Sequence, residues 1–164
     1  SGDREFGVPD EYPLEAAGCR IDENGKKYIR VKGVRWYTNI DHGRRHNPLS
    51  LMSMADNIKY SKHKDIQGKK YQHYDNYDAI EIPYTDAIPC DYENLMGVPV
   101  TFLDKYCPEQ FDIIWQACGN TRASAPKEIL DEVGYTIHPE DRGGCGVVNN
   151  KRQYARILIR KKHL

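Results

Sequence analysis

Residues 96–115 read MGVPVTFLDKYCPEQFDIIW and carry the clearest structural signals of the chain. Pro99 has no backbone donor and biases the residue before it away from helix, which predicts a short extended approach that is not a central strand. One helical turn is expected over 102–106, and Pro108 starts a second turn. Residues 111–117 then have the pattern of a buried strand. By composition alone the stretch is a connector that packs one strand on a core.

Long blocks of the sequence resemble those of a known enzyme family. The stretch quoted above is similar to the pattern MGVP-[IV]-TFLDKY-x-PEQF of the EcoRI-type adenine-specific DNA methyltransferases. Residues 34–42, VRWYTNIDH, resemble the family segment VRW-[FY]-TN-[IL]-D, and residues 74–81, YDNYDAIE, resemble its segment YDNYDAIEV. Residues 154–160 are similar to its closing strand. The resemblance covers nearly all of this chain and the C-terminal half or so of the family.

The resemblance implies a fold and an activity. Such enzymes transfer a methyl group from S-adenosylmethionine to the exocyclic amino nitrogen of adenine in duplex DNA, after base flipping. The implied fold is the C-terminal part of a class I (Rossmann-like) methyltransferase, which is α+β with a mainly antiparallel sheet, short helices and long loops. The implied partner is double-stranded DNA, and S-adenosylmethionine is the implied cofactor of the full-length enzyme.

Two family motifs are missing from this sequence. Such enzymes bind S-adenosylmethionine through a glycine-containing loop after their first strand, and hold the target adenine with an Asn-Pro-Pro-Phe loop. Residues 47–50, NPLS, lack the second proline and the aromatic ring that would stack on a flipped base, so we interpret them as a turn. The chain also begins at Ser1 without an initiator methionine.

We therefore interpret residues 1–164 as a single C-terminal methyltransferase segment whose cofactor-binding and catalytic half is absent. We predict no catalytic, cofactor-binding or metal-binding residue in it, and expect it to be inactive alone. The missing N-terminal half of the same enzyme is then an expected partner.

Composition limits the class of protein. The chain has 164 residues, enough for one domain with a core, and is 39% hydrophobic and 29% charged. Its aromatic residues are mostly tyrosine, which suits a wet binding face. No apolar run approaches the roughly 20 residues of a membrane span, and no signal-like region opens the chain. The sequence predicts a soluble, cytoplasmic protein with no membrane partner.

Cysteine usage indicates neither a disulfide framework nor a zinc site. The cysteines are odd in number, scattered and without a Cys-x-x-Cys pair, so buried or incidental thiols are expected. They are Cys19, Cys90, Cys107, Cys118 and Cys145.

The formal net charge of zero conceals segregated charges. Residues 1–24 have a net charge of −5, residues 25–70 of +9, residues 71–115 of −8 and residues 116–164 of +4. This alternation indicates either an anionic partner for the basic segment or internal pairing with the acidic one. The sequence alone leaves both alternatives open.

The candidate DNA contacts lie mostly in residues 41–77, which we interpret as target-recognition loops. Arginines suit phosphate or guanine because the guanidinium fork is planar and bidentate, and lysines interleaved with tyrosines suit phosphates and bases. A flexible solvated loop with almost no core is the alternative, and both hold if the loop orders only on DNA. The predicted DNA-binding residues are Arg35, Arg44, Arg45, His46, Lys59, Lys62, Lys64, Lys69, Lys70 and Tyr71.

Two metal hypotheses are weak. His42 and His46 would share one face of a helix, but Gly43 and Pro48 argue against a helix there. The carboxylates at 78 and 81 suggest a nuclease, yet a proline stands at the position where such a site needs its lysine.

Local patterns predict the remaining elements. Asn24-Gly25 between alternating residues predicts a hairpin, Gly33 is expected to end its second strand, and a third strand is expected over 34–40. Residues 6–14, which contain two prolines, are expected to form an ordered loop or lead-in.

Further along, residues 126–133 are expected to form a short helix ended by Gly134. Residues 142–146 are expected to form a turn, because no strand precedes them and no helix follows as a phosphate cradle would require. Residues 153–162 are expected to form a closing strand.

A second class of function stays open on the sequence. The chain also fits a non-catalytic nucleic-acid-binding or protein-interaction module in which the acidic segment answers the basic one. Phosphate contacts would make affinity fall steeply with salt, whereas an internally neutralised surface would have no affinity for DNA.

Overall fold

A computed structural model of the protein describes residues 2–13, 18–34 and 40–162. The chain divides into two compact units, Ser1–Asp41 and His42–Leu164, and each contains its own sheet. The described elements are short helices and small antiparallel or mixed sheets, which confirms the predicted α+β class. Within these residues every helix is too short or too polar to span a lipid bilayer.

The first unit is an antiparallel sheet of three strands in the order β1-β3-β2. The strands are β1 (Gly2–Gly7), β2 (Cys19–Ile21) and β3 (Lys27–Val34). The predicted hairpin between β2 and β3 is confirmed. Asp22 Oδ1 accepts hydrogen bonds from the amides of Asn24 (3.0 Å) and Lys26 (2.9 Å), and Gly25 takes a φ of +79°. The side chain of Asp22 thus closes a turn that glycine makes accessible.

Two boundaries predicted for this unit differ from the structure. The predicted loop is present over residues 8–13 but starts two residues later than expected, because Phe6 and Gly7 end strand β1, and β3 continues through Gly33 to Val34 instead of ending at the glycine. Burial marks neither boundary, because Phe6 and Val31, which lie close to them, are substantially exposed. Residues 35–39 of the predicted third strand, including Arg35, lie outside the described residues.

The second unit is built on a four-stranded mixed sheet in the order β4-β5-β9-β6. β4 and β5 are parallel, whereas β9 runs antiparallel to both of its neighbours. The strands of this unit are β4 (Ala79–Glu81), β5 (Leu95–Pro99), β6 (Phe111–Ala117), the small hairpin β7 (Val147–Val148) and β8 (Lys151–Arg152), and β9 (Arg156–Lys161).

Short helices surround this sheet. The α-helices are α1 (Met54–Tyr60) and α2 (Lys127–Glu132), and the single turns of 3-10 helix are Gly43–His46, Thr85–Ala87, Val100–Lys105 and Thr121–Ser124. Gly134 follows α2 with a φ of +60°, which confirms the predicted helix and its end. Residues 142–144 also take positive φ values within the predicted turn.

Two apolar clusters cover the two faces of the sheet. The alternation of β9 divides its residues between them, since Ile157 and Ile159 join one cluster and Leu158 the other. Both faces of β9 are therefore buried, as expected for a central strand. The largest fully buried side chains, Phe102 and Phe111, pack edge to face at 5.7 Å in the first cluster.

The structure corrects part of the interpretation of 96–115. β5 is a central strand, because β4 pairs with its first residues and β9 pairs with it on the other side. Pro99 is tolerated because it lies beyond the last parallel pair, at the end of the strand. β6 has the predicted bounds but is an edge strand, and only Phe111 and Ala117 are buried. The two predicted turns between β5 and β6 are confirmed.

Candidate nucleic-acid interface

Residues 59–70, here called the lysine turn, form an ordered structure at the end of α1. Ser53 caps α1 by accepting a hydrogen bond from the amide of Asp56 at 3.1 Å. After the helix the chain folds back, and the amide of Gly68 donates to the carbonyl of Ile58 at 2.8 Å. Ile66 is 4% exposed and anchors the turn. The lysine turn is therefore ordered. The alternative of a flexible loop, which the scarcity of apolar residues in the sequence had left open, does not hold for it.

The lysine turn presents its lysines to solvent. Lys62 pairs with Asp86 at 2.8 Å, and the ammonium of Lys59 lies 4.8 Å from the ring centre of Tyr60. The other three are exposed and form no ion pair with any residue that the structure describes; they are Lys64, Lys69 and Lys70. Such exposed cations are available to phosphates.

The acidic segment anchors the start of the lysine turn. His63 Nε2 lies 2.8 Å from Asp86 Oδ1, and its ring stacks on Tyr84 with centroids 3.7 Å apart. The hydroxyl of Tyr84 donates to Asp65 at 3.0 Å. The acidic segment thus neutralises Lys62 and fixes His63, while the three lysines named above stay outside this network.

Acid should loosen this anchor. Hydrogen bonding from Lys62 holds the pKa of Asp86 below its ordinary value of 3.8; partial burial opposes this and His63 adds to it. A depressed pKa means that the carboxylate stabilises the fold above about pH 4 and that this contribution is lost as the pH falls through the lower, folded-state pKa. In the Lys62→Ala variant we expect the pKa of Asp86 to rise toward 3.8, as followed by carboxyl-carbon NMR titration. An unchanged Asp86 titration would show that Lys62 does not pair with it in solution.

Tyr71 lies at the end of the lysine turn with its hydroxyl turned inward. It donates to the carbonyl of Ala87 at 2.6 Å and is half-buried against the first apolar cluster. Burial raises the pKa of Tyr71 to about 12, so the phenol stays neutral. The nearby side chain of Asn57, fully buried, donates to the same carbonyl at 3.4 Å. Tyr71 therefore fixes the turn to the core.

Two of the predicted arginines, Arg44 and Arg45, lie in the 3-10 turn Gly43–His46, here called the arginine turn. Arg44 is exposed and Arg45 is half-buried, while His46 Nδ1 lies 2.6 Å from Glu109 Oε1. Hydrogen bonding from Cys107, followed by that from His46, lowers the pKa of Glu109. Among the described residues no group of three or more His, Cys, Asp or Glu side chains is placed to hold a metal ion.

Gln110 holds the segment that follows these arginines. Its side-chain Oε1 accepts from the amide of Leu49 at 2.8 Å, and its Nε2 donates to the carbonyl of Leu49 at 3.0 Å. Glu109 and Gln110 belong to the PEQF part of the quoted stretch, so this motif connects the sheet to the arginine turn. Sequence reasoning missed this role, because the partners lie 61 and 63 residues apart.

Replacing Gln110 by glutamate should loosen the arginine turn. The carboxylate still accepts from the amide of Leu49 but has no proton for its carbonyl, which it then faces as a second acceptor. We expect protection against amide hydrogen exchange to fall for residues 43–49, with a loss of about 1–3 kcal/mol for the orphaned group. The Gln116→Glu control, on an exposed position of β6, should leave these amides unchanged. Equal protection in both variants would contradict the bridge.

Glu81 does not form a nuclease site. It is 8% exposed and receives the guanidinium of Arg156 through Nη2 at 2.6 Å and Nε at 3.0 Å, while the hydroxyl of Tyr74 donates to its other oxygen. These contacts occupy both carboxylate oxygens and join β4 to β9 across β5. Asp78, the second candidate carboxylate, is exposed.

Comparisons with known proteins agree with the resemblance. A family model described as adenine-specific methyltransferase EcoRI matches residues 1–162. The chain is 38% identical over 159 residues to the type II methyltransferase M.EcoRI of Escherichia coli, covering 97% of this chain and 40% of that relative. It is 33% identical over 163 residues to M.MgeORF184P of Mycoplasma genitalium, covering 97% of this chain and 46% of that relative.

A third relative, the type II methyltransferase M.MpnI of Mycoplasma pneumoniae, is 27% identical over 143 residues, which cover 87% of this chain and 40% of the relative. No solved structure matches the chain. The chain spans less than half the length of the curated relatives it matches. Because the family model matches almost every residue, the chain belongs to the family of EcoRI-type adenine-specific methyltransferases.

Proposed function

We propose that this chain is the DNA-contacting C-terminal part of an adenine-specific DNA methyltransferase. The full enzyme would transfer a methyl group from S-adenosylmethionine to the amino nitrogen of adenine in duplex DNA. The observation that carries this proposal is the lysine turn, an ordered element in which three exposed lysines form no ion pair with any described residue, within a chain of this family.

The lysine turn and the arginine turn would contact the DNA backbone. Because the backbone that carries these exposed cations is already ordered, less conformational entropy is lost when they neutralise phosphates, and this favours binding. Lys62, His46 and Tyr71 belong to the proposed set but also hold these turns on the protein. The proposed DNA-binding residues remain Arg35, Arg44, Arg45, His46, Lys59, Lys62, Lys64, Lys69, Lys70 and Tyr71, of which Arg35 lies outside the described residues.

We also propose that the four-stranded sheet is the C-terminal part of a Rossmann-like methyltransferase sheet. Three of its strands, β4, β5 and β6, run in one direction, since β5 and β6 are both antiparallel to β9. A mainly parallel sheet with one reversed strand is common in doubly wound folds, which supports this proposal.

The described residues do not fit the cofactor. The glycine pair 143–144 lies in an irregular turn between α2 and β7, without the strand and helix that a cofactor loop requires. We therefore assign S-adenosylmethionine binding, and the loop that holds the flipped adenine, to a part of the enzyme outside this chain. The chain alone is then inactive, and that other part is its partner. A cytoplasmic location follows from duplex DNA as the substrate.

A non-catalytic nucleic-acid-binding or protein-interaction module is the second candidate function. The ion pair of Lys62 with Asp86 favours it, because the acidic segment there neutralises part of the basic one.

Methyl transfer tests the proposal. The product of the natural gene, assayed with labelled S-adenosylmethionine and duplex DNA, should label adenine, and the 164-residue chain alone should not. The control is the same duplex with purine in place of adenine. It lacks the acceptor amino group, so labelling should be abolished. If the protein expressed from the natural gene binds DNA without labelling it, a non-catalytic nucleic-acid-binding module remains as the function.

A further inference from the structure

A polar cleft lies in the second unit where two loops meet. The amide of Asn120 donates to the carbonyl of Arg142 at 3.1 Å, and the amide of Arg122 donates to the carbonyl of Gly143 at 2.9 Å. Asn120, Arg142 and Gly143 all take positive φ values, so the two loops are held in unusual conformations against each other. The cleft has a volume of about 660 Å³ and is lined by these four residues and Gly119.

A partly buried network positions Arg122 at this cleft. Its Nη1 donates to the hydroxyl of Tyr135 at 2.9 Å and lies 3.6 Å from Asp141 Oδ2. Asp141 is 3% exposed and also accepts from the hydroxyl of Tyr135 and from the amide of Gly143 at 2.7 Å. Burial alone would raise the pKa of Asp141, but these bonds, another from the amide of His138 and the nearby Arg122 bring it below its ordinary value. One end of the guanidinium is therefore fixed, and the side chain keeps 37% of its surface exposed.

Arg142 adds a second guanidinium. It is exposed and forms no ion pair with a residue in the described ranges. Burial raises the pKa of the nearby Cys145 thiol, an effect that Arg152 and Arg142 oppose. The lining of the cleft thus carries two guanidinium groups against the one carboxylate of the network, Asp141, which leaves one positive charge in excess.

We propose that this cleft binds a phosphate group of the duplex DNA backbone, as a contact separate from the lysine turn. Two guanidinium forks match the oxygens of a phosphate, and glycine and asparagine at the rim leave room for close approach. The inference rests on the proposed function, since it names a further point at which the same DNA is held.

The test compares DNA binding by single variants of the 164-residue chain. Arg142→Gln removes one exposed charge and keeps every side chain of the network of Arg122, Tyr135 and Asp141. Its affinity for a duplex at about 0.1 M salt should fall roughly tenfold, and the slope of log affinity against log salt should become less steep by about 0.9. The control Lys127→Gln removes an exposed charge outside the cleft and should bind as the wild type does. Arg122→Lys, which keeps a cation beside Asp141 but loses the fork, should also weaken binding.

The outcomes separate this inference from the proposed function. If Arg142→Gln and Arg122→Lys both bind like the wild type while lysine-turn variants lose affinity, the cleft is not a DNA contact and the proposed function stands. If the wild type binds no DNA, both fall. The last experiment measures whether inorganic phosphate, at constant ionic strength, stabilises the wild type and Arg142→Gln against unfolding. Stabilisation of the wild type but not of Arg142→Gln, with DNA affinity unchanged, would assign the cleft to free phosphate and overturn the DNA contact.

Discussion

Replacing Arg156 by methionine should destabilise the second unit by about 3–5 kcal/mol, because it leaves the buried carboxylate of Glu81 without its partner. Glu81 and Arg156 are each 8% exposed, and they join β4 to β9 across the central strand. The hydroxyl of Tyr74 remains as a neutral donor to Glu81, but it cannot offset a buried charge. Urea unfolding followed by tryptophan fluorescence measures the change.

The chain offers a matched control on the same face of the same strand, four residues further along β9. Arg160 pairs with Glu132 at 3.0 Å, but both side chains are 38% exposed. Arg160→Met should therefore change the free energy of unfolding by no more than about 1 kcal/mol. Replacing both Glu81 and Arg156 by apolar residues should restore much of the stability lost in Arg156→Met. Equal effects of Arg156→Met and Arg160→Met would contradict the buried pair.

Replacing Lys64, Lys69 and Lys70 together by alanine should reduce affinity for duplex DNA by on the order of 10²–10³ at about 0.1 M salt, if each lysine neutralises one phosphate. The fold should be unaffected, since none of the three pairs with a described residue and the anchors of the turn are Ile66 and His63. Fluorescence anisotropy with a labelled duplex gives the affinity, and amide hydrogen exchange confirms that the turn stays ordered.

A control with the same change in net charge removes three exposed lysines outside the lysine turn, namely Lys105, Lys127 and Lys151. It should bind DNA within about threefold of the wild type, because distant exposed charges are screened at this salt concentration. Equal losses in the two triple variants would mean that DNA responds to net charge alone. Unchanged affinity in the lysine-turn variant would remove this element from the DNA-binding surface.

Local signals in the sequence were sufficient for several elements. Asn24-Gly25 predicted its hairpin and Gly134 predicted the end of α2, because the turn or cap chemistry lies within a few residues. The alternation of residues 153–162 predicted β9, because alternation is also a pattern of neighbouring residues. The family resemblance, which rested on long blocks, was confirmed by the match over residues 1–162.

Interactions between distant residues were not predictable in this way. Glu81 and Arg156 are 75 residues apart, and only the sheet order brings them together. β5 was misjudged because a proline excludes a central position only where its missing amide would be needed, and Pro99 lies past that point. The lysine turn is held in place by stacking between His63 and Tyr84 and by the burial of one isoleucine, Ile66. Neither contact produces a periodic pattern in the sequence, so neither could be predicted from it.

The salt dependence of duplex DNA affinity tests the central claim most directly. For the 164-residue chain we predict measurable binding at low salt and a linear fall of log affinity with log salt, with a slope of roughly −0.9 for each phosphate contacted. Absence of affinity at low salt, or affinity that does not change with salt, would show that the acidic segment neutralises the basic surface. The chain would then not be the DNA-contacting part of its enzyme.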